Sequence, residues 1–131
     1  MAEAKADLQV ELVAADRVVW SGRASMVTAR TTEGDVGILR GHSPVLSVLV
    51  PGVIEITPEG GDPVVAVVDG GFLSVAANRV SILAERTTLS GDVDVSAAKA
   101  DLDAARGEEG EDAEHRVRHA EALIRAAERS N

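Results

Sequence analysis

The apolar pattern of this chain changes period near Leu89, and that change constrains the fold more than any other feature. Before it, apolar residues alternate with polar ones or form short blocks, as strands do. Leu8, Val10 and Leu12 alternate with Gln9 and Glu11. Residues 18–21 and 25–30 form two short runs separated by Gly22, and Ile54 and Ile56 alternate with Glu55 and Thr57. Residues 64–68 are apolar throughout, which suits a strand covered on both faces. Residues 58–63 read as a hairpin loop. Ala77-Asn78-Arg79 reads as a turn between the runs 72–75 and 80–84, with Asn78 suited to the left-handed conformation. Short strands at close spacing with Gly-rich turns predict a β-sandwich or barrel over residues 1–88.

Beyond Leu89 the period becomes helical. Residues 94–106 hold five alanines and no glycine, with Asp94 placed as N-cap and Gly107 as the residue after the helix. Residues 113–129 again lack glycine and proline. Val95, Ala98, Leu102 and Ala105 share one helical face, and Val117, Ala120, Ile124 and Ala127 share another. Between the helices, residues 107–114 carry five acids and no base and read as a solvated loop. The segment 89–131 is thus an αα-hairpin appended to the β domain. Its large inward residues are Val95, Leu102, Val117 and Ile124, with Leu123 beside them. Burying so few side chains offsets little of the entropy of ordering two helices, so the hairpin is expected to need a docking surface and to detach readily.

Composition excludes several functions. The apolar fraction is an ordinary 45%, but valine and alanine dominate and Trp20 and Phe72 are the only aromatics. A formal net charge of −9 argues against nucleic acid and against direct adsorption to anionic lipid. Cysteine is absent, which removes disulfides and thiolate metal sites. Residues 1–7 lack the apolar core of a signal peptide, and the longest apolar stretch, residues 45–54, is interrupted by Ser47, Pro51 and Gly52. Membrane association is expected through partners only.

No catalytic constellation is visible. His115 and His119 lie four apart and can share a helix face, but no third metal ligand is indicated, and the expectation is two solvated histidines. The glycine pairs lack the Lys-Ser/Thr of a phosphate loop, and no serine sits in a Gly-x-Ser-x-Gly elbow. Glu33 and Asp35 read as surface or interface charges rather than an acid–base pair. The stretch 32–53, TEGDVGILRGHSPVLSVLVPGV, combines a charged Gly-rich loop, the basic pair Arg40 and His42, and a long apolar run. From its physics alone it is either a loop with a buried strand or an edge on which a partner docks.

Residues 33–46, EGDVGILRGHSPVL, resemble the loop of F-type ATP synthase epsilon subunits, whose pattern is acid-Gly-acid-x-Gly-Ile-x-Pro-Gly-His-x-Pro-Leu-Leu. Pro51-Gly52-Val53, Gly70-Gly71 with the following run to Val75, and residues 80–84 resemble further segments of that family. The likeness extends over nearly the whole chain. Arg40 departs from it, standing where the family usually has proline. Some members bind ATP through Ile-Asp-x-x-Arg-Ala on the hairpin; here the segment is Val93-Asp94-Val95-Ser96-Ala97-Ala98, and Ala97 occupies the arginine position. A methyl offers none of a guanidinium's donors, so ATP binding is expected to be weak or absent and no cofactor is expected.

The resemblance implies a β-sandwich of about ten strands followed by a helical hairpin, and a non-catalytic place at the foot of a central rotor stalk. It implies contact with the gamma subunit and the ring of membrane c subunits through Glu33, Gly34, Asp35, Arg40, Gly41 and His42. It further implies a peripheral location at the cytoplasmic face of the cell membrane, and a hairpin able to extend toward the alpha and beta subunits and brake ATP hydrolysis. Asp94, Arg116, Arg118, Arg125 and Arg129 are the hairpin residues expected to serve that regulation; residues 115–129 hold four arginines against Glu121 and Glu128. The competing reading is a free-standing ligand-binding β-sandwich with a helical tail, with an enzyme third.

Overall fold

The computed structural model describes residues 7–129. The leader-free reading of the N-terminus lies almost wholly outside them. Seven strands, β1 (Leu8–Ala14), β2 (Arg17–Thr31), β3 (Gly34–Leu39), β4 (Val45–Pro58), β5 (Val64–Ala76), β6 (Arg79–Ala84) and β7 (Thr87–Leu89), precede a single 3-10 turn at Ser90–Asp92. Two helices follow, α1 (Val95–Arg106) and α2 (Glu111–Arg129). The sheet order is β1-β6-β5-β4-β2-β3; β1 also pairs with β2, which closes the sheet, and β7 pairs with β5. All pairings are antiparallel except β1 with β6.

Seven strands stand where about ten were expected, because β2, β4 and β5 are long and bend. In β4 and β5 the bend falls at Pro51-Gly52 and Gly70-Gly71, positions that the sequence alone suggests as strand ends. Each half then serves a different layer. One layer joins the start of β2, β1, β6, residues 71–76 of β5 and residues 45–49 of β4. The other joins β3, the end of β2, residues 51–58 of β4, residues 64–69 of β5 and β7. Gly71 makes the bend possible: its φ is +137°, and a Cβ there would lie 2.0 Å from the Leu83 carbonyl oxygen. The β5–β6 hairpin turns through Ala77 and Asn78, both at positive φ (51° and 62°).

Between the layers lies one core built by alternation: Leu8, Val10 and Leu12 of β1, Val27 and Ala29 of β2, Ile54 and Ile56 of β4, Leu73 and Val75 of β5, and Val80 and Ile82 of β6. Branched aliphatics fill it without an aromatic centre, which explains the valine-rich composition. Val64–Val68 is indeed covered on both sides. Ala66 and Val68 face the core, while Val65 and Val67 face the hairpin.

The hairpin differs from expectation in its contacts. Its buried residues are alanines: Ala98 and Ala105 of α1, and Ala113, Ala120, Ala122 and Ala126 of α2. The large residues meant to anchor it are peripheral; Val95 is exposed, and Leu102, Val117, Leu123 and Ile124 are half-buried. Alanines at seven-residue spacing on both helices let the two backbones approach closely. Asp94 caps α1 as expected, accepting from the Ala97 N–H at 3.0 Å. Gly107 follows α1 as expected, with φ −85°. The acidic loop is also shorter than expected, because Glu111, Asp112 and Glu114 belong to the first turn of α2, where negative charge complements the helix dipole.

Candidate subunit interface and hairpin junction

The motif 33–44 is not one loop. Gly34–Leu39 is strand β3, hydrogen-bonded along β2. Glu33, Gly34 and Asp35 occupy one end of it, Arg40, Gly41 and His42 the other; Asp35 and Arg40 are about 16 Å apart along an extended strand. The first end is held by Thr31, whose hydroxyl donates to the Gly34 carbonyl at 2.9 Å and accepts from the Glu33 N–H at 3.1 Å. Asp35 faces Arg30 across the pairing and forms an ion pair at 3.0 Å. The hydrogen bond and charge of Arg30 hold its carboxyl below the usual carboxylate range. The second end is tied to the β5–β6 turn, with the Gly41 N–H donating to the Asn78 side-chain oxygen at 2.8 Å. Arg40 pairs with Asp7 at 3.6 Å, and His42 Nδ1–H donates to the Ser43 carbonyl at 2.7 Å.

An apolar row crosses the outer face of the first layer. Val48 pairs with Phe72, Phe72 with Leu83, Leu83 with Val13, and Val13 with Val18. Phe72 is 51% exposed and Leu83 53%, and Val48 and Val18 are exposed as well. Leu46, two residues before Val48 on the same strand, is 72% exposed. A row of large apolar side chains on adjacent strands is a contact surface rather than the scattered exposure normal for a monomer. Sequence reasoning passed over it because alternating runs show which residues share a face, not which face stays uncovered.

On the opposite layer the hairpin covers β5 and β4. The predicted arginines lie there in part. Arg129 donates to Glu55 of β4, and Arg125 and Arg129 line an open groove of about 410 Å³ with Thr28, Arg30, Asp35 and Val53. The fold thus joins Asp35 with two hairpin arginines and leaves Arg40 and His42 apart from them. Arg116 instead pairs with Glu108 at 2.8 Å. Glu121 takes Arg106 at 3.4 Å, which joins α1 to α2.

His115 and His119 are only partly exposed and face the sheet rather than open solvent, contrary to expectation. His115 Nε2–H donates to Asp69 Oδ1 at 2.5 Å. Arg86, just before β7, donates to Asp69 Oδ2 through Nε at 2.9 Å and Nη2 at 2.5 Å. His119 is half-buried and its Nε2 has no hydrogen-bond partner among the described residues. Burial pushes its imidazole below the ordinary range, against the opposing pull of Asp69. Burial also pushes the Asp69 carboxyl up, but the Arg86 hydrogen bond, the charge of His119 and the His115 hydrogen bond outweigh it and hold the group below the usual range. Asp69 and Arg86 were missed; the available signal was a lone acid closing an otherwise apolar strand run. Among the described residues no group of three or more His, Asp or Glu side chains is arranged to hold a metal, and no helix is long and apolar enough to cross a membrane.

The family model of the ATP synthase delta/epsilon chain β-sandwich domain matches residues 7–90. The chain is 51% identical over 126 residues to the ATP synthase epsilon chain of Rhodococcus jostii, covering 95% of this chain and 99% of that one. It is 49% identical over 112 residues to the ATP synthase epsilon chain of Streptomyces avermitilis, covering 86% and 90%. A chain in the solved mitochondrial ATP synthase of Euglena gracilis, comprising OSCP, F1 and c-ring, superposes with a TM-score of 0.79 at 25% identity over 98% of this chain and 84% of that one. With its β-sandwich, its helical hairpin and relatives matched over almost their full length, the chain belongs to the ATP synthase epsilon-chain family.

Proposed function

We propose that this chain is a rotor component of the central stalk, docking on the gamma subunit through its apolar row and coupling the c-ring to ATP synthesis. Family membership already makes it a stalk subunit of the membrane-associated ATP synthase, not a catalytic one. The observation that carries the finer reading is the exposed row Val48, Phe72, Leu83, Val13 and Val18, with Leu46 beside it. Interfaces that must survive torque need a packed apolar centre, and this surface offers one. The end of β3 at Arg40, Gly41 and His42 is tied to the β5–β6 turn of the same layer through Asn78 and belongs with the gamma contact. Glu33, Gly34 and Asp35, at the other end, suit the polar loops of the c-ring. The complex then sits at the cytoplasmic face of the membrane.

Exchanging both Phe72→Glu and Leu83→Glu tests the docking. Both side chains are outward, so thermal unfolding of the isolated chain should change little. Capture of the gamma subunit should fall at least about tenfold, since charges left in an apolar interface must be desolvated. Undiminished capture by a folded double variant would remove the row from the interface.

The thin contact of the hairpin favours a second role, a detachable brake on ATP hydrolysis. Among the described residues its apolar part is small: Ala122, Ala126 and the half-buried Leu123 meet Val53, Val65 and Val67 across that junction. Such an element detaches at small cost and is free to reach the alpha and beta subunits, with Arg116, Arg118, Arg125 and Arg129 as its basic contacts.

A further inference from the structure

The seam between α2 and the sheet is short, with a few apolar contacts lying between a charged pair at either end. Along β5, Val65, Val67 and Asp69 alternate outward and lie under the helix. From residue 65 to 69 the strand advances about 13 Å. From His115 to Ala126 the helix advances about 16 Å. The helix therefore runs back along the strand, setting Ala126 and Ala122 over the valines and His115 over Asp69. At its far end Arg129 reaches Glu55, but both side chains there are partly in solvent. Asp69 is different: it is 8% exposed, and its carboxyl is held by two ionisable side chains, Arg86 before β7 and His115 of α2.

We propose that Asp69 is the latch of the hairpin, a buried carboxylate whose two oxygens are divided between the sheet and α2. Oδ2 takes Arg86 from the end of the sheet; Oδ1 takes His115 from the helix. The division matters energetically. Removing one partner of a buried ion pair ordinarily strands a charge, which is costly. Here Arg86 stays with Asp69 when the hairpin leaves, so undocking breaks one charge-assisted hydrogen bond at this buried carboxylate and strands nothing there, while the Arg129–Glu55 pair that parts with it is already partly in solvent. A contact of this kind is strong enough to select the docked state and light enough to release it. The small alanine seam cannot do this alone, because alanine methyls bury little surface. That the latch regulates the enzyme rests on the brake reading above; that it holds the hairpin does not.

The test measures docking directly, by amide hydrogen exchange across the full chain. Asp69→Asn keeps the shape and removes the charge, and His115→Gln weakens the same contact from the hairpin side, where it cannot disturb the sheet. Each should speed exchange in residues 111–129 by about tenfold, with residues 8–14 and 54–56 unchanged. Combining the two should add little to either alone, since both break one bond. Unchanged exchange in residues 111–129 for His115→Gln overturns the latch, as does full additivity of the pair. Equal acceleration in sheet and hairpin overturns it as well, making Asp69 a general stabiliser. Assembled into the whole ATP synthase, His115→Gln should lower ATP hydrolysis, because a freed hairpin brakes more often. Faster exchange without a change in hydrolysis supports the latch and refutes the brake.

Discussion

At the residue scale the most informative side chain is His119, a histidine on an amphipathic helix that solvent does not fully reach. Its Nε2 is buried without a described partner, and burial depresses its affinity for a proton. Undocked, the imidazole titrates near its ordinary value of about 6.5. Docked, it titrates lower, so the undocked state binds more protons in the interval between the two. Docking is therefore fully supported by this group at neutral pH and weakens as pH falls below about 6.5. Asp69 has the opposite charge logic. Its carboxyl is held below the usual range, so its contribution persists until the pH has fallen through the carboxylate region. We expect hydrogen exchange in α2 to accelerate from pH 7 to pH 5.5 after correction for intrinsic rates, and His119→Phe to flatten that slope. A slope that persists in His119→Phe would assign it to another group.

Elements carry a different lesson, that strands can be longer than their punctuation suggests. Gly22 reads as a separator between two short runs, yet it lies within one continuous strand, as do Pro51-Gly52 and Gly70-Gly71. The residue that matters most is Gly71, at φ +137° with the Leu83 carbonyl against its missing Cβ. A side chain there is strained by its backbone and collides with main chain that cannot rotate away. Gly71→Ala should destabilise the domain by on the order of 2–4 kcal/mol, read by chemical denaturation. Less than about 0.5 kcal/mol would mean that the bend can move. The helices teach the converse. Their periodicity was correct, and α1 buries alanines of the face foreseen, but the large side chains of both faces stay peripheral. Close helix packing selected alanine, and only Ala98, Ala105 and Ala120 belonged to the faces foreseen.

Across the whole molecule, two outward surfaces divide the work. The first layer bears the uncovered apolar row, and the second bears the hairpin. The sheet core closes without any hairpin residue. Cutting the chain after Leu89 should therefore leave a folded sandwich that still binds gamma. In the whole complex, hydrolysis should rise severalfold while proton-driven synthesis in vesicles continues. Unchanged hydrolysis over a range of ionic strengths would reduce the hairpin to a structural tail.

The sequence by itself determined the class of the fold, the order of strands before helices, the Asp94 cap, the core-facing alternation of β1 and β4, and the family. These depend on neighbours within a few residues or on a linear pattern, and a linear reading contains them. Tertiary structure alone decided the rest. It made three bent strands out of what read as shorter ones, because a bend and an end use the same residues. It parted Asp35 from Arg40 along β3, and it left Phe72 and Leu83 in one uncovered row through pairings between residues distant in the chain. Above all it brought His115 to Asp69 across 46 positions. Charge at long separation leaves no periodicity, so the junction that holds the hairpin could be found only once α2 lay on β5.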